Sequence, residues 1–206
     1  MLTFEDQYYS ENIKFIVGVD EAGRGPLCGP VVAGACILPK DYKNELINDS
    51  KKLSLKKREL VFKDIIKHAI AYGIGYVDAE TIDRVNIYEA SRIAMIKAIS
   101  NLNSKYQLIL TDAMPIKIPN MEVIPIIKGD AKCECIAAGS ILAKVCRDRY
   151  MDCMAKKYPN YHLDKNKGYP TKEHLELLNK YGPIKGFYRY TYGPVKVSVV
   201  KQLKLF

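Results

Sequence analysis

The chain has 206 residues, enough for one α/β domain that buries a full core without disulfide staples. Its formal charge is +9, with Lys and Arg spread along the whole length, which favours a polyanionic partner: nucleic acid first, an anionic membrane surface second. No apolar run approaches the ~20 residues of a membrane span, and Met1 to Asn12 is too acidic and polar for a signal peptide. The expectation is a cytoplasmic protein with no membrane partner.

The six cysteines (Cys28, Cys36, Cys133, Cys135, Cys146, Cys153) contain no Cys-x-x-Cys pair and suit free thiols in a reducing compartment. His68, His162 and His174 are the only histidines, so a histidine-built metal site is not expected. Any metal would be a hard cation on carboxylate oxygens.

In chain order, Phe15 to Val19 reads as a buried strand that ends on Asp20-Glu21 and enters Ala22-Gly23-Arg24-Gly25-Pro26. Adjacent strand residues point to opposite faces, so both acids reach one ion only if the backbone bends or one uses its main-chain oxygen. The run suits a divalent-metal site beside a phosphate cradle, and equally an acidic strand end entering a polar turn. Gly29 to Leu38 is a second strand, antiparallel to the first. Asp49-Ser50-Lys51-Lys52-Leu53-Ser54 follows, and Ser54 caps a helix from Leu55 to about Ala71 with Leu60, Val61, Ile65 and Ile66 as its apolar positions. The lysine pair suits a solvated helix start or a phosphate clamp.

Tyr72 to Val77 is a strand, Asp78 to Asp83 a helical turn, and Ile87 to Asn101 an amphipathic helix. Gln107 to Thr111 is a buried strand ending on Asp112, and Glu122 to Ile127 another ending on Lys128-Gly129-Asp130. Three strands thus deliver acids at their C-terminal ends, which converge if those strands are neighbours. Ala131 to Lys156 is helical. In it, Asp148 either pairs with Lys144 one turn earlier, the favoured reading, or supports a metal site. Tyr158 to Tyr169 reads as a polar loop, and Thr171 and His174 open a last helix to about Tyr181.

Asp20, Glu21, Asp112 and Asp130 suit Mg²⁺ or Mn²⁺, because clustered carboxylates repel one another until a cation or proton neutralises them. In a basic chain such a cluster is what two-metal phosphodiester hydrolysis needs. The same acids also suit unrelated strand ends held by helix N-termini and lysines.

Several ordered motifs carry a resemblance: Asp-Glu-Ala-Gly-Arg-Gly-Pro at Asp20 to Pro26, Asp-Ser-Lys-Lys-Leu at Asp49 to Leu53, Asp112, Lys128-Gly129-Asp130, the run from Ile136 to Asp148, and Gly168-Tyr169 with Thr171-Lys172-Glu173-His174. Together, from Phe15 to about Val195, they resemble the type 2 ribonucleases H, the ribonuclease HII family. The resemblance implies an α/β fold, a ribonuclease H-like mixed β-sheet flanked by helices. Residues 1–156 would form the catalytic domain and 157–206 a small helical C-terminal region packed on it. It implies an endoribonuclease that cuts the RNA strand of RNA–DNA hybrids, and a monomer is expected. Members also cut on the 5′ side of single ribonucleotides in duplex DNA, leaving 5′-phosphate and 3′-hydroxyl ends, as a step in ribonucleotide removal.

By the same resemblance Asp20, Glu21, Asp112 and Asp130 are the metal-binding catalytic acids for two Mg²⁺ or Mn²⁺ ions. Gly23, Arg24 and Gly25 would contact the 2′-hydroxyl and backbone at the RNA–DNA junction, Tyr169 the junction nucleotide, and Ser50, Lys51 and Lys52 phosphates. Lys128, Ser140, Lys144, Asp148, His174 and Arg189 form a supporting set. Tyr169 also suits a packed loop tyrosine, one of 15 in the chain. Three departures from the family pattern stand out: Gly139 for an alanine, Ala113 for a glycine, and the segment from Phe187 to Gly193, where Arg189 keeps one cation and the duplex contacts are in question. Gln202-Leu203-Lys204-Leu205-Phe206 resembles the bacterial sliding-clamp-binding pentapeptide, with Gln202, Leu203, Leu205 and Phe206 as contacts; its apolar residues also suit packing on the domain itself. The rival readings are a hybrid-binding module without catalysis and, last, a Mg²⁺-dependent phosphatase.

Overall fold

The computed structural model describes residues 3–44, 46–47 and 53–203, with side chains up to residue 200. Five strands form one mixed sheet: β1 (Ile16–Ala22), β2 (Val31–Ile37), β3 (Ala71–Val77), β4 (Leu108–Asp112) and β5 (Glu122–Ile126), in the order β3-β2-β1-β4-β5. The first three are antiparallel neighbours, and β4 and β5 run parallel to β1. The strands that end in acids are therefore adjacent, as the sheet-edge argument requires.

Alternation along β1 decides what each face carries. Val17 and Val19 join Ile109 of β4 in a core under α2 (Ala79–Ser100). Gly18 faces the other way, where a Cβ would lie 2.1 Å from the backbone of Cys135 in α3 (Glu134–Lys157). Gly34 and Gly139 meet in the same manner: a Cβ on Gly139 would sit 2.7 Å from the Gly34 carbonyl oxygen. The small residues of α3 thus bring it against β1 and β2, and Gly139 in place of alanine belongs to this close approach.

Several boundaries differ from the sequence expectations. The helix α1 (Leu55–His68), with Ser54 accepting from the Lys57 amide, ends before Ala71 because the Ile70 amide already bonds the Ile37 carbonyl. Val61, Phe62 and Ile65 are its buried stripe, and Leu60, off that stripe, is exposed. The turn from Asp78 and the helix from Ile87 are two arms of α2, bent at Asn86, whose φ is 68° and whose side chain accepts from the Tyr88 and Glu89 amides.

The stretch expected as polar loop holds a 3-10 turn (Pro159–Tyr161) and α4 (Leu163–Asn166). After α5 (Lys172–Tyr181), capped by Thr171, the chain forms a further helix, α6 (Gly193–Leu203). The C-terminal elements share a core with Leu27, Cys28 and Met151 of the preceding chain. Among the described residues no helix is long and apolar enough to cross a membrane.

Candidate active site

The parallel register Val19↔Thr111 sets Asp20 alongside Asp112 at the C-terminal ends of β1 and β4. Both follow the period-two pattern onto the α3 face, since Gly18 and Leu110 precede them there. Asp130 arrives from the 3-10 turn Gly129–Ala131 just beyond β5. That turn is tied to Asp112, whose Oδ1 accepts from the Gly129 amide at 2.8 Å. One oxygen from each of Asp20, Asp112 and Asp130 lies within 4.8 Å of the others.

Glu21 lies on the wall of the same cleft, outside that trio. Its Oε1 pairs with Arg24 at 3.2 Å, while its Oε2 is buried with no hydrogen-bond partner among the described residues. The alternation that carries Asp20 to the α3 face takes Glu21 off it.

Burial, then the charges of Glu21 and Asp112, hold the Asp20 carboxyl well above the usual carboxylate range. A hydrogen bond from Ser140 and one from the Glu21 amide (2.7 Å) act against that rise. Burial also raises Glu21, with Arg24 opposing and Asp112 adding to the effect. Crowded oxygen donors with a buried unsatisfied carboxylate atom fit a hard divalent cation, which would offset the mutual repulsion of these groups.

The cleft around the acids has a volume of about 370 Å³ and is walled by Gly23, Arg24, Gly25, Arg58, Ser140, Lys144 and Tyr169 as well as Asp20, Glu21 and Asp112. Lys144 donates to Asp148 at 2.7 Å, and Arg58 stands 3.8 Å from the other Asp148 oxygen. Asp148 therefore holds two cations of the cleft wall, the favoured sequence reading. Lys128 is exposed at φ 56° on the turn before Asp130.

Tyr169 is 41% exposed, and its ring stands beside Gly25, with Lys144 Nζ 6.0 Å and the Arg147 guanidinium 5.9 Å from its centroid. His174 Nδ1 lies 2.8 Å from the Tyr169 carbonyl oxygen. Ser50, Lys51 and Lys52 lie outside the described residues, as do Leu205 and Phe206; Gln202 and Leu203 fall in the last turn of α6.

Arg189, placed in the supporting set, is fully buried and presents no cation at the surface. It donates instead to the carbonyl oxygens of Gly23 (2.7 Å), Arg24 (3.0 Å) and Gly29 (2.9 Å). Sequence reasoning also passed over Arg147, equally buried, which donates to the carbonyls of Cys28, Pro30 and Lys167. Tyr192 adds a hydroxyl bond to the Arg24 carbonyl at 2.7 Å. The glycine loop is thus fastened by two guanidiniums whose spacing in sequence carries no signal. The cysteines take no part: all are free, and burial pushes the Cys28 and Cys133 thiols up to about 12, leaving them inert at neutral pH.

Comparison with known proteins settles the lineage. The model of the family described as Ribonuclease HII matches residues 17–194. The chain belongs to the ribonuclease HII family. A ribonuclease HII of Caldanaerobacter subterraneus subsp. tengcongensis is 54% identical over 194 residues, covering 93% of this chain and 79% of that protein. Among solved structures, the ribonuclease H2 of Pyrococcus horikoshii OT3 is similar with a TM-score of 0.77 at 28% identity, over 92% of this chain and 98% of that one. The ribonuclease HII in the PCNA:RNase HII complex of Archaeoglobus fulgidus gives a TM-score of 0.72 at 26% identity, over 87% and 95%. Membership makes the chain an enzyme of the metal-dependent ribonuclease H class, with the mixed sheet and flanking helices of that fold.

Proposed function

We propose that this chain cuts the RNA strand of RNA–DNA hybrids and the 5′ side of single ribonucleotides in duplex DNA, leaving 5′-phosphate and 3′-hydroxyl ends. The observation that carries the reading is the convergence of Asp20, Asp112 and Asp130 within 4.8 Å, beside a cleft lined by Asp20, Glu21 and Asp112, in a chain of net charge +9.

In this reading Asp20, Glu21, Asp112 and Asp130 would hold two Mg²⁺ or Mn²⁺ ions. When bound, such ions lower the pKa of water and offset charge on the phosphate oxygens. The protein's own residues do the rest. Ser140 keeps Asp20 oriented, and the Gly129 amide does the same for Asp112. Gly23, Arg24 and Gly25 meet the ribose, whose 2′-hydroxyl separates RNA from DNA. Tyr169 stacks on the junction nucleotide, backed by Lys144 and Arg147. Ser50, Lys51 and Lys52 hold phosphates along the flanking strand. The enzyme acts as a cytoplasmic monomer in removing ribonucleotides from DNA.

The test is a panel of end-labelled substrates in Mg²⁺: an RNA–DNA hybrid, duplex DNA with one ribonucleotide, and all-DNA duplex. Cutting of the first two with 3′-hydroxyl products is expected; cutting of all-DNA duplex, or of none, overturns the reading.

The terminal Gln202, Leu203, Leu205 and Phe206 dock on a bacterial sliding clamp in this proposal. Support comes from the peptide pattern and from the archaeal relative solved with PCNA. Deleting residues 202–206 is expected to abolish clamp pull-down while leaving hydrolysis intact; unchanged capture would end the idea.

A further inference from the structure

The loop from Gly23 to Pro30 is gripped by a segment far away in sequence. Besides the Arg189 side chain, the Arg189 amide donates to the Leu27 carbonyl at 2.9 Å, and the Gly29 amide donates to the Phe187 carbonyl at 2.9 Å. Residues 187–192 thus form a strap across the loop, and the strap is anchored at one point on its outer side. Asp83, on the short first arm of α2, accepts from the Tyr190 amide (2.7 Å), the Thr191 amide (2.9 Å) and the Thr191 hydroxyl (2.5 Å). One carboxylate therefore holds the two residues that follow Arg189.

A guanidinium that bonds three carbonyls works as a positioning device only if its own backbone is fixed. Arg189 is fully buried and has no carboxylate within ion-pair distance among the described residues, so its placement depends on these backbone contacts. We propose that Asp83 is a positioning residue for substrate recognition: it fixes the strap, the strap fixes Arg189, and Arg189 sets the height of the Gly23–Gly25 loop. The inference rests on the reading of that loop as the ribose contact. Asp83 touches neither the acids nor the cleft lining, so the effect falls on substrate binding rather than on the chemical step.

The test compares Asp83→Ala and Asp83→Asn with the unaltered full-length enzyme and with Arg24→Ala. The readouts are KM and kcat on duplex DNA bearing one ribonucleotide, hydrogen exchange of the Arg189 and Gly29 amides, and Mg²⁺ affinity. For Asp83→Ala, KM rises about tenfold, kcat stays within about twofold and Mg²⁺ affinity is unchanged, the pattern of lost binding without lost chemistry. The two amides exchange faster, and Asp83→Asn, whose one oxygen keeps the Thr191 contacts while its NH2 faces the Tyr190 amide, recovers part of the loss. Should KM stay put in Asp83→Ala while Arg24→Ala raises it, the inference fails and the loop reading stands. Should Arg24→Ala also leave KM unchanged, the loop reading itself fails and takes the inference with it. A fall in kcat with Mg²⁺ affinity, or an Asp83→Asn no better than Asp83→Ala, would likewise overturn the positioning role.

Discussion

The Nδ1 nitrogen of His174 lies 2.8 Å from the carbonyl oxygen of Tyr169, and its Nε2 lies 2.7 Å from the Tyr188 hydroxyl. A carbonyl only accepts, so Nδ1 carries the proton and Nε2 accepts from Tyr188. The ring is fully buried, and burial holds its pKa below the usual 6.5, the bond to Tyr169 opposing. The unfolded chain therefore takes up this proton at a higher pH than the folded one. Stability supplied by neutral His174 is present above about pH 6.5 and is lost as pH falls toward the lowered value. Thermal melts between about pH 5 and pH 7.5 are expected to show a falling Tm on the acid side, and His174→Asn to flatten that slope. An identical slope in the variant would reject the assignment.

Gly23 has φ +100°, and a Cβ there would lie 2.2 Å from Arg147 Nε and 2.9 Å from the Pro30 carbonyl oxygen. Arg147 cannot swing aside without releasing three carbonyls. Gly23→Ala is expected to destabilise the fold by about 2–4 kcal/mol and to remove most cleavage. Denaturant unfolding beside an activity assay checks both.

Ala113 occupies the left-handed region at φ 55°, directly after Asp112. The strain of an L-residue there, about 1–2 kcal/mol, exceeds the added unfolded-state freedom of glycine, about 0.4–1 kcal/mol. Ala113→Gly should therefore raise stability by roughly 0.5–1 kcal/mol. It also keeps the Asp112 geometry, because the turn retains its Ala113 amide bond to Ile126. A lowered Tm would contradict this.

Raised pKa values at Asp20 and Glu21 set a competition between protons and cations. As pH falls these carboxyls take up protons sooner than ordinary carboxylates, so affinity for Mg²⁺ or Mn²⁺ falls with pH and binding in that range releases protons. Calorimetry in buffers of different ionisation enthalpy would measure that release. The cation is also expected to raise Tm, and chelation to lower it. Affinity independent of pH would remove the coupling.

Much of this site was legible in the residues themselves. Asp20, Asp112 and Asp130 each follow an apolar strand, and period-two alternation carries Asp20 and Asp112 to the α3 face once β1 and β4 are neighbours. That adjacency joins residues some ninety positions apart, which local pattern does not contain; the family resemblance supplied it. Glu21 was grouped with the three aspartates, but alternation sets it on the cleft wall. Pattern also missed α4 and the Pro159–Tyr161 turn, because elements of three or four residues span barely one turn and show no periodicity. Val195 to Val200 is rich in β-branched residues, which speak against a helix locally, yet packing of Val195 and Ser198 against the C-terminal core makes one. Arg147 and Arg189 were invisible as loop-holders, since arginine in a basic chain reads as surface charge.

The most direct measurement is cleavage of duplex DNA carrying one ribonucleotide by the native enzyme and by Asp112→Asn, each with Mg²⁺ and with chelator. The native enzyme with Mg²⁺ should cut 5′ to the ribonucleotide. Asp112→Asn should lose about a thousandfold or more in rate while melting no lower than the native chain, since one of three crowded carboxylates is neutralised. Cleavage by the native enzyme under chelation, or by a folded Asp112→Asn at the native rate, would contradict a chemistry built on clustered aspartates and a divalent cation.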